Sequence, residues 1–158
     1  RGERMRTYSL VVVLGLLLIS LVGLQLLALS TTASTIKADV CIVPEVFNLK
    51  QRGVITAYVS NLREDGVSYD VRNINASTIE LYYEGYLVAK RLRATVEDDV
   101  LVAKFDASTV ANYIWTNVAY HMGTIRPQAN FIMPLTVSGR LNSGEPFAGS
   151  DTIKIILP

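Results

Sequence analysis

The sequence is short of the residues that build most metal and redox centres. It has one cysteine, Cys41, and one histidine, His121, among 158 residues. A single cysteine excludes an intrachain disulfide. One thiol and one imidazole do not supply the three or four ligands of a usual zinc site. We therefore predict no metal ion and no cofactor, and we interpret His121 as a loop residue.

The sequence also lacks an excess of either charge and the common catalytic motifs. The chain has 15 Lys and Arg residues and 14 Asp and Glu residues, for a formal net charge of +1. This near-balance gives no electrostatic argument for nucleic-acid binding. No Gly-x-Ser-x-Gly elbow and no phosphate-binding glycine loop occurs. Carboxylates such as Asp98 and Asp106 have nothing around them that predicts a hydrolase pair. We predict no catalytic residue and no enzymatic activity.

What the chain does contain is one long apolar run from Ser9 to Leu29 without a charged residue. A helix of that length is about 30 Å long, the thickness of a bilayer's hydrocarbon core. We predict a hydrophobic helix within residues 1–34, preceded by a polar head that holds Glu3, Arg4 and Arg6. The residues expected to pack in an assembly are Leu10, Val13, Leu14, Leu17, Leu18, Leu21, Leu24, Gln25, Leu27 and Leu29.

Three interpretations of this run compete. The arginines before it and the small residues after it are typical of a cleaved secretory signal, although the run is longer than a signal core. As a membrane anchor it fits well, with its basic flank on the cytoplasmic side. As the core helix of a filament it fits equally well, because many copies bury one another's apolar faces. Gln25 would bond a neighbouring copy in a bundle and would be costly in lipid.

Residues 35–158 have the pattern of a β domain. Beyond a short extended linker at 30–38, apolar and polar residues alternate in short runs separated by turn residues. About seven strands at this spacing predict an immunoglobulin-like sandwich. The predicted strands include 53–60, 77–83, 87–96, 100–105, 131–140 and 150–157. Turns are predicted at Asp65-Gly66, at Glu84-Gly85 and at Glu97-Asp98-Asp99.

Some single residues of the β domain carry predictions of their own. Cys41 lies within a strand pattern and is predicted to be a small buried hydrophobe. Asp106 or Ser108 is expected to cap a short helix that runs to about residue 115. Phe147, between two glycines of a long hairpin tip, is predicted to fold back onto the core. Asn75-Ala-Ser77 is the only N-glycosylation sequon.

The order of a short polar head, a long apolar helix and a β-rich C-terminal domain resembles archaeal type IV pilins. The resemblance implies a helix that leaves the membrane and packs in a filament core, with the β domains outside. Bacterial members have a glutamate near the mature N-terminus, and Glu3 is the candidate here. The three arginines at positions 1, 4 and 6 depart from the family's pattern and keep the simple anchor open.

A second resemblance covers much of the β domain. Residues 43–55, 69–79 and 135–153 are similar, in order and spacing, to a module of secreted archaeal and bacterial surface proteins. That resemblance implies a non-catalytic β-sandwich building block. Some members have an acidic loop before the strand that holds Phe105. Here only Glu97, Asp98 and Asp99 occupy that place, and we interpret them as a solvated turn.

Together these observations predict a long N-terminal hydrophobic α-helix followed by an all-β immunoglobulin-like sandwich. The predicted function is a structural pilin subunit of an extracellular filament, a glycoprotein with a role in adhesion. The expected partners are identical subunits in a homopolymer, the membrane before assembly, and surface or glycan contacts through the β domain. The alternative is a single-span membrane-anchored envelope protein whose sandwich binds a partner.

Overall fold

A computed structural model describes residues 34–119 and 130–157 of the chain, and these are mostly β-strand. Helical structure in this part consists of a 3-10 turn (Val71–Asn73), the short helix α1 (Ala107–Tyr113) and a π-helical turn (Ile114–Ala119). The strands in chain order are β1 (Ile36–Val43), β2 (Val46–Asn48), β3 (Val54–Glu64), β4 (Val67–Tyr69), β5 (Ile74–Tyr83), β6 (Tyr86–Glu97), β7 (Val100–Asp106), β8 (Asn130–Leu141) and β9 (Pro146–Ile156).

Seven of these strands form one closed barrel. The order around it is β1-β3-β7-β6-β5-β8-β9, and β9 closes the ring by pairing in parallel with β1. The predicted immunoglobulin-like sandwich is therefore wrong, since a sandwich needs two separate sheets. Short strands at regular spacing are common to sandwiches and barrels. The closing pair joins Ile36 to Phe147, a long-range contact that no local pattern predicts.

The long N-terminal helix of the predicted fold lies outside the described residues. Within 34–119 and 130–157, the α-helix α1 has only seven residues. None of the helices in that part has the length and apolar character needed to cross a membrane. The predicted fold class is thus corrected to a β-rich barrel with one short helix, and this architecture disagrees with a description as a pilin with a transmembrane helix.

Three tight hairpin turns were predictable from the sequence and are confirmed. Asp65-Gly66, Glu84-Gly85 and Asp98-Asp99 each have two consecutive residues at positive φ, between 48° and 82°. This is the conformation that a two-residue type I′ turn requires, and its twist matches that of the strands it joins. The hairpins β3–β4, β5–β6 and β6–β7 are therefore set by local chemistry.

Alternation along the strands fills the barrel interior. In β3, for example, Ile55, Ala57 and Val59 are fully buried, whereas the residues between them reach the surface. Phe147 is also fully buried, which confirms its predicted place in the core. The other large side chains of the core include Phe47, Phe105, Ile79, Leu81, Leu101, Met133 and Ile36.

Two local predictions have different outcomes. Asp106 caps α1, as predicted, because its Oδ2 accepts hydrogen bonds from Thr109 N at 2.8 Å and Thr109 Oγ1 at 2.7 Å. Cys41, however, is exposed and not buried. It lies on the outer face of β1, next to the fully buried Ile42. The strand pattern around Cys41 is therefore confirmed, but the prediction that Cys41 points inward is wrong. The predicted linker also ends early, since β1 begins at Ile36.

Candidate functional site

Most of the residues predicted to act in assembly lie outside the described part of the chain. This holds for the polar head with Glu3, Arg4 and Arg6 and for the apolar run; His121, predicted to be a loop residue, also lies outside the described part. Their predicted roles stay predictions. The run's assembly residues are Leu10, Val13, Leu14, Leu17, Leu18, Leu21, Leu24, Gln25, Leu27 and Leu29.

The sequon at Asn75 lies on a wide bulge of β5. Asn75 is opposite Arg140 of β8, but the next registered pair of this ladder joins Glu80 to Ser138. Residues 76–79 are therefore accommodated opposite the single residue Gly139, and they leave the regular ladder. Asn75 is thus the last paired residue before the bulge, and Ser77 of the sequon is exposed within the bulge.

The side chain of Asn75 is held by its own sequon. Its Oδ1 accepts hydrogen bonds from Ser77 N at 3.1 Å and from Ser77 Oγ at 2.6 Å. These bonds form an Asx turn, and they use the amide oxygen, not the nitrogen that carries an N-linked glycan. The geometry presents Asn75 as a modifiable side chain, and its occupancy remains a prediction.

A polar depression of about 350 Å³ lies where the 3-10 turn meets the end of β3, and it holds the shortest ion pair of the described residues. Arg72 Nε is 3.0 Å from both carboxylate oxygens of Asp70, and an Arg72 terminal nitrogen is 2.7 Å from Asp70 Oδ2. Hydrogen bonds from Arg72 lower the pKa of the Asp70 carboxyl, and Asp70 in turn raises the pKa of Arg72. Asp70 also accepts from Arg72 N at 2.9 Å. The pair therefore fixes the 3-10 turn, which is a structural task.

A second depression, of about 290 Å³, lies on the outer face of three neighbouring strands. We call it the outer groove. Its cations, Arg93 of β6 and Lys104 of β7, are both exposed and are register partners. Tyr58 of β3, with 41% of its surface exposed, contributes an aromatic ring. The lining residues are Thr56, Tyr58, Arg93, Thr95, Glu97, Val102 and Lys104.

Three tyrosines near the β5–β6 turn have raised pKa values. The hydrogen bond from Tyr82 Oη to Glu80 Oε2, at 2.5 Å, is the main cause for Tyr82. Burial is the main cause of the raised pKa of Tyr83 and of Tyr113. A phenol is already protonated at neutral pH, and a raised pKa moves it further from the phenolate form. These groups are therefore suited to hydrogen bonding and packing and poorly suited to act as bases.

Sequence reasoning missed the outer groove, although part of its signal was visible. Arg93, Thr95 and Glu97 alternate along one strand, which places them on one face. Their partners Thr56 and Lys104 come from strands whose register the sequence does not show. Within 34–119 and 130–157, no three His, Cys, Asp or Glu side chains are placed to hold a metal ion.

Comparison with known proteins adds no family to these observations. A scan against protein-family models found no match, and a search of curated proteins found none either. The function is therefore argued from the apolar run in the sequence and from the surface of the barrel.

Proposed function

We propose that the chain is a structural subunit of an extracellular or cell-surface assembly, held there by its apolar run, with the barrel in water. The proposal rests mainly on one contrast. The barrel fills its interior with its own side chains, whereas the sequence has a separate uncharged apolar run from Ser9 to Leu29. Exposing that run to water costs roughly 1.5–3 kcal/mol for each large apolar side chain. A mature chain that keeps the run must therefore bury it in lipid or among copies of itself.

Assembly among copies is the function that we put first. Gln25 is the one amide within the run, and an amide in an apolar helix gains about 0.6–2 kcal/mol by bonding to a neighbouring helix. Glycines at positions 15 and 23 would let neighbouring backbones approach closely. The same segment facing lipid alone would leave Gln25 without a partner.

The test compares the full chain with its Gln25→Leu variant on the cell surface. We expect electron microscopy of sheared surface material to show regular polymers of the full chain, and Gln25→Leu to reduce their yield. Gln25→Asn, which keeps the amide, serves as the matched control. Recovery of the chain only as a detergent-solubilised monomer, with Gln25→Leu held in the membrane more firmly, would replace the polymer with the single-span anchor.

An extracellular location also makes a prediction about Asn75. If the barrel is exported through a glycosylating compartment or membrane, intact-mass measurement of the native protein shows an added glycan. The Asn75→Gln variant, and equally Ser77→Ala, would lose that mass. An unmodified native mass would remove glycosylation from the proposal without touching the assembly test.

A further inference from the structure

The outer groove places two cations side by side on the sheet. Arg93 is directly opposite Lys104 across the β6–β7 ladder, and Lys104 is opposite Thr56 across the β3–β7 ladder. Like charges in directly opposed positions destabilise a sheet. Among residues 34–119 and 130–157, neither cation has a carboxylate oxygen within 4.0 Å. An anion between the two would remove this repulsion.

The adjoining row of the groove is uncharged and carries the aromatic ring. Tyr58 is opposite Val102, and Val102 is opposite Thr95. The row therefore combines an exposed phenol ring, an apolar floor and a hydroxyl group. A ring stacked on Tyr58 would cover Val102 and would lie next to the two cations.

From this arrangement we propose that the outer groove binds a carboxylate-bearing saccharide, a uronic acid unit of a polysaccharide. The guanidinium of Arg93 has the planar fork that matches a carboxylate, and Lys104 supplies a second positive charge. Tyr58 offers a face for the apolar side of the sugar ring. The volume of about 290 Å³ is just below the range of drug-sized ligand pockets and suits a small unit of this kind.

Glu97 favours a uronate over a densely charged polyanion as the ligand of the outer groove. It lines the same groove beside Thr95, whose Oγ1 is 3.1 Å from Glu97 Oε1. A carboxylate at this end accepts hydrogen bonds from sugar hydroxyls and repels further negative charge. The groove thus has a cationic end and an acceptor end, which matches a single carboxylate on a hydroxyl-rich ring.

The test measures binding of galacturonate, which carries one carboxylate on one sugar ring, to the full chain in a neutral detergent, by calorimetric titration. We expect the double variant Arg93→Gln/Lys104→Gln to bind at least about tenfold more weakly, since each lost charge-assisted bond is large enough for such a factor. The matched control is Lys50→Gln/Arg52→Gln, which removes two exposed cations outside the groove and should leave binding unchanged. Tyr58→Ala should weaken binding, and Tyr58→Phe should preserve most of it.

Three results would overturn the proposal. They are no binding of galacturonate at millimolar concentration, equal weakening by both double variants, and equal affinity for neutral galactose. Tighter binding of a heavily sulfated glycan than of the uronate would overturn the role given to Glu97. The inference goes beyond the proposed function, because binding is measured on the chain in detergent whether or not it forms polymers. A failure of either test therefore leaves the other one standing.

Discussion

The two edges of β9 are built differently. Along one edge β9 pairs with β8 in unbroken antiparallel register, from Asn130 opposite Ile156 to Arg140 opposite Pro146. Along the other edge it pairs with β1 only at its start and with β2 only at its end. We call this interrupted edge the seam. A barrel can thus be closed by a strand that is only partly hydrogen-bonded to its neighbour.

Side-chain chemistry holds the middle of the seam. Asp151 Oδ2 accepts a hydrogen bond of 2.7 Å from Ile42 N, in a place where a backbone carbonyl would accept in a regular ladder. Gly149 lets β1 approach closely, because a Cβ there would overlap the Ala38 carbonyl oxygen and lie 2.5 Å from Val40 Cγ2. The seam depends on single residues, whereas the β8–β9 edge depends on many equivalent backbone bonds.

The largest effect should come from Gly149→Ala. The added methyl group meets backbone, which yields less easily than a side chain, so we expect a loss of about 3 kcal/mol in unfolding free energy, the upper end for overpacking. The matched control is Gly139→Ala on β8, where the methyl group meets the Phe147 ring at 2.8 Å. The ring end can shift, so this loss should be about half as large. Chemical denaturation measures both variants, and an equal or larger loss for Gly139→Ala would contradict the comparison.

A smaller loss is expected from Asp151→Ala. It leaves the Ile42 N–H of a fully buried residue without its acceptor, which costs about 1–3 kcal/mol. Asp151→Asn keeps an oxygen at the same place and should recover most of the stability. Asp39→Ala is the control, because it removes an exposed ion pair with Arg63 that is worth at most about 1 kcal/mol. If Asp39→Ala proved the more damaging in denaturation, the seam would not depend on Asp151.

The bulge of β5 extends the comparison to a second interrupted ladder. Thr78 Oγ1 accepts a hydrogen bond of 2.8 Å from Arg140 N and donates one of 2.8 Å to Asn75 O, so a hydroxyl again replaces a strand contact. Thr78→Ala should therefore cost about 1 kcal/mol. Thr78→Ser keeps the hydroxyl and is expected to lose less. Equal melting temperatures for the two variants would show that the hydroxyl does not support the bulge.

How much of this could be read from the sequence depends on the range of the interaction. The hairpin turn at Asp65-Gly66, the cap at Asp106 and the burial of Phe147 follow from a few neighbouring residues, and all three were predicted. The closed barrel depends on Ile36 meeting Phe147, which only the folded chain brings about. The outer groove could not be predicted for the same reason, since its residues come from three strands whose register the sequence does not show.

The face of β1 shows a subtler limit. Alternation predicted the strand correctly, but a period of two gives two equally good phases. Ile42 is fully buried and Cys41 is exposed, so the choice of Cys41 as the buried residue had the phase wrong. The apolar run shows a similar limit. Its length fits a membrane anchor and a filament helix equally well, so the sequence does not choose between these two functions.

The smallest effect concerns Asp106, which lies away from both edges of β9 and so serves as a reference for them. Hydrogen bonds from Thr109 lower the pKa of the Asp106 carboxyl below its ordinary 3.8. A lowered folded-state pKa gives stability that is present above the unfolded value and disappears as the pH falls through the folded one. Asp106→Ala should therefore be less stable than the parent at pH 7, and the difference should shrink as the pH falls below 3.8 through the lowered pKa of Asp106. The losses of Asp106→Ala and Gly149→Ala should add in the double variant, because the two sites are independent. The losses of Gly149→Ala and Asp151→Ala should not add, because both residues of β9 contact the same strand, β1. Additivity of that second pair would mean that the seam is not one cooperative unit.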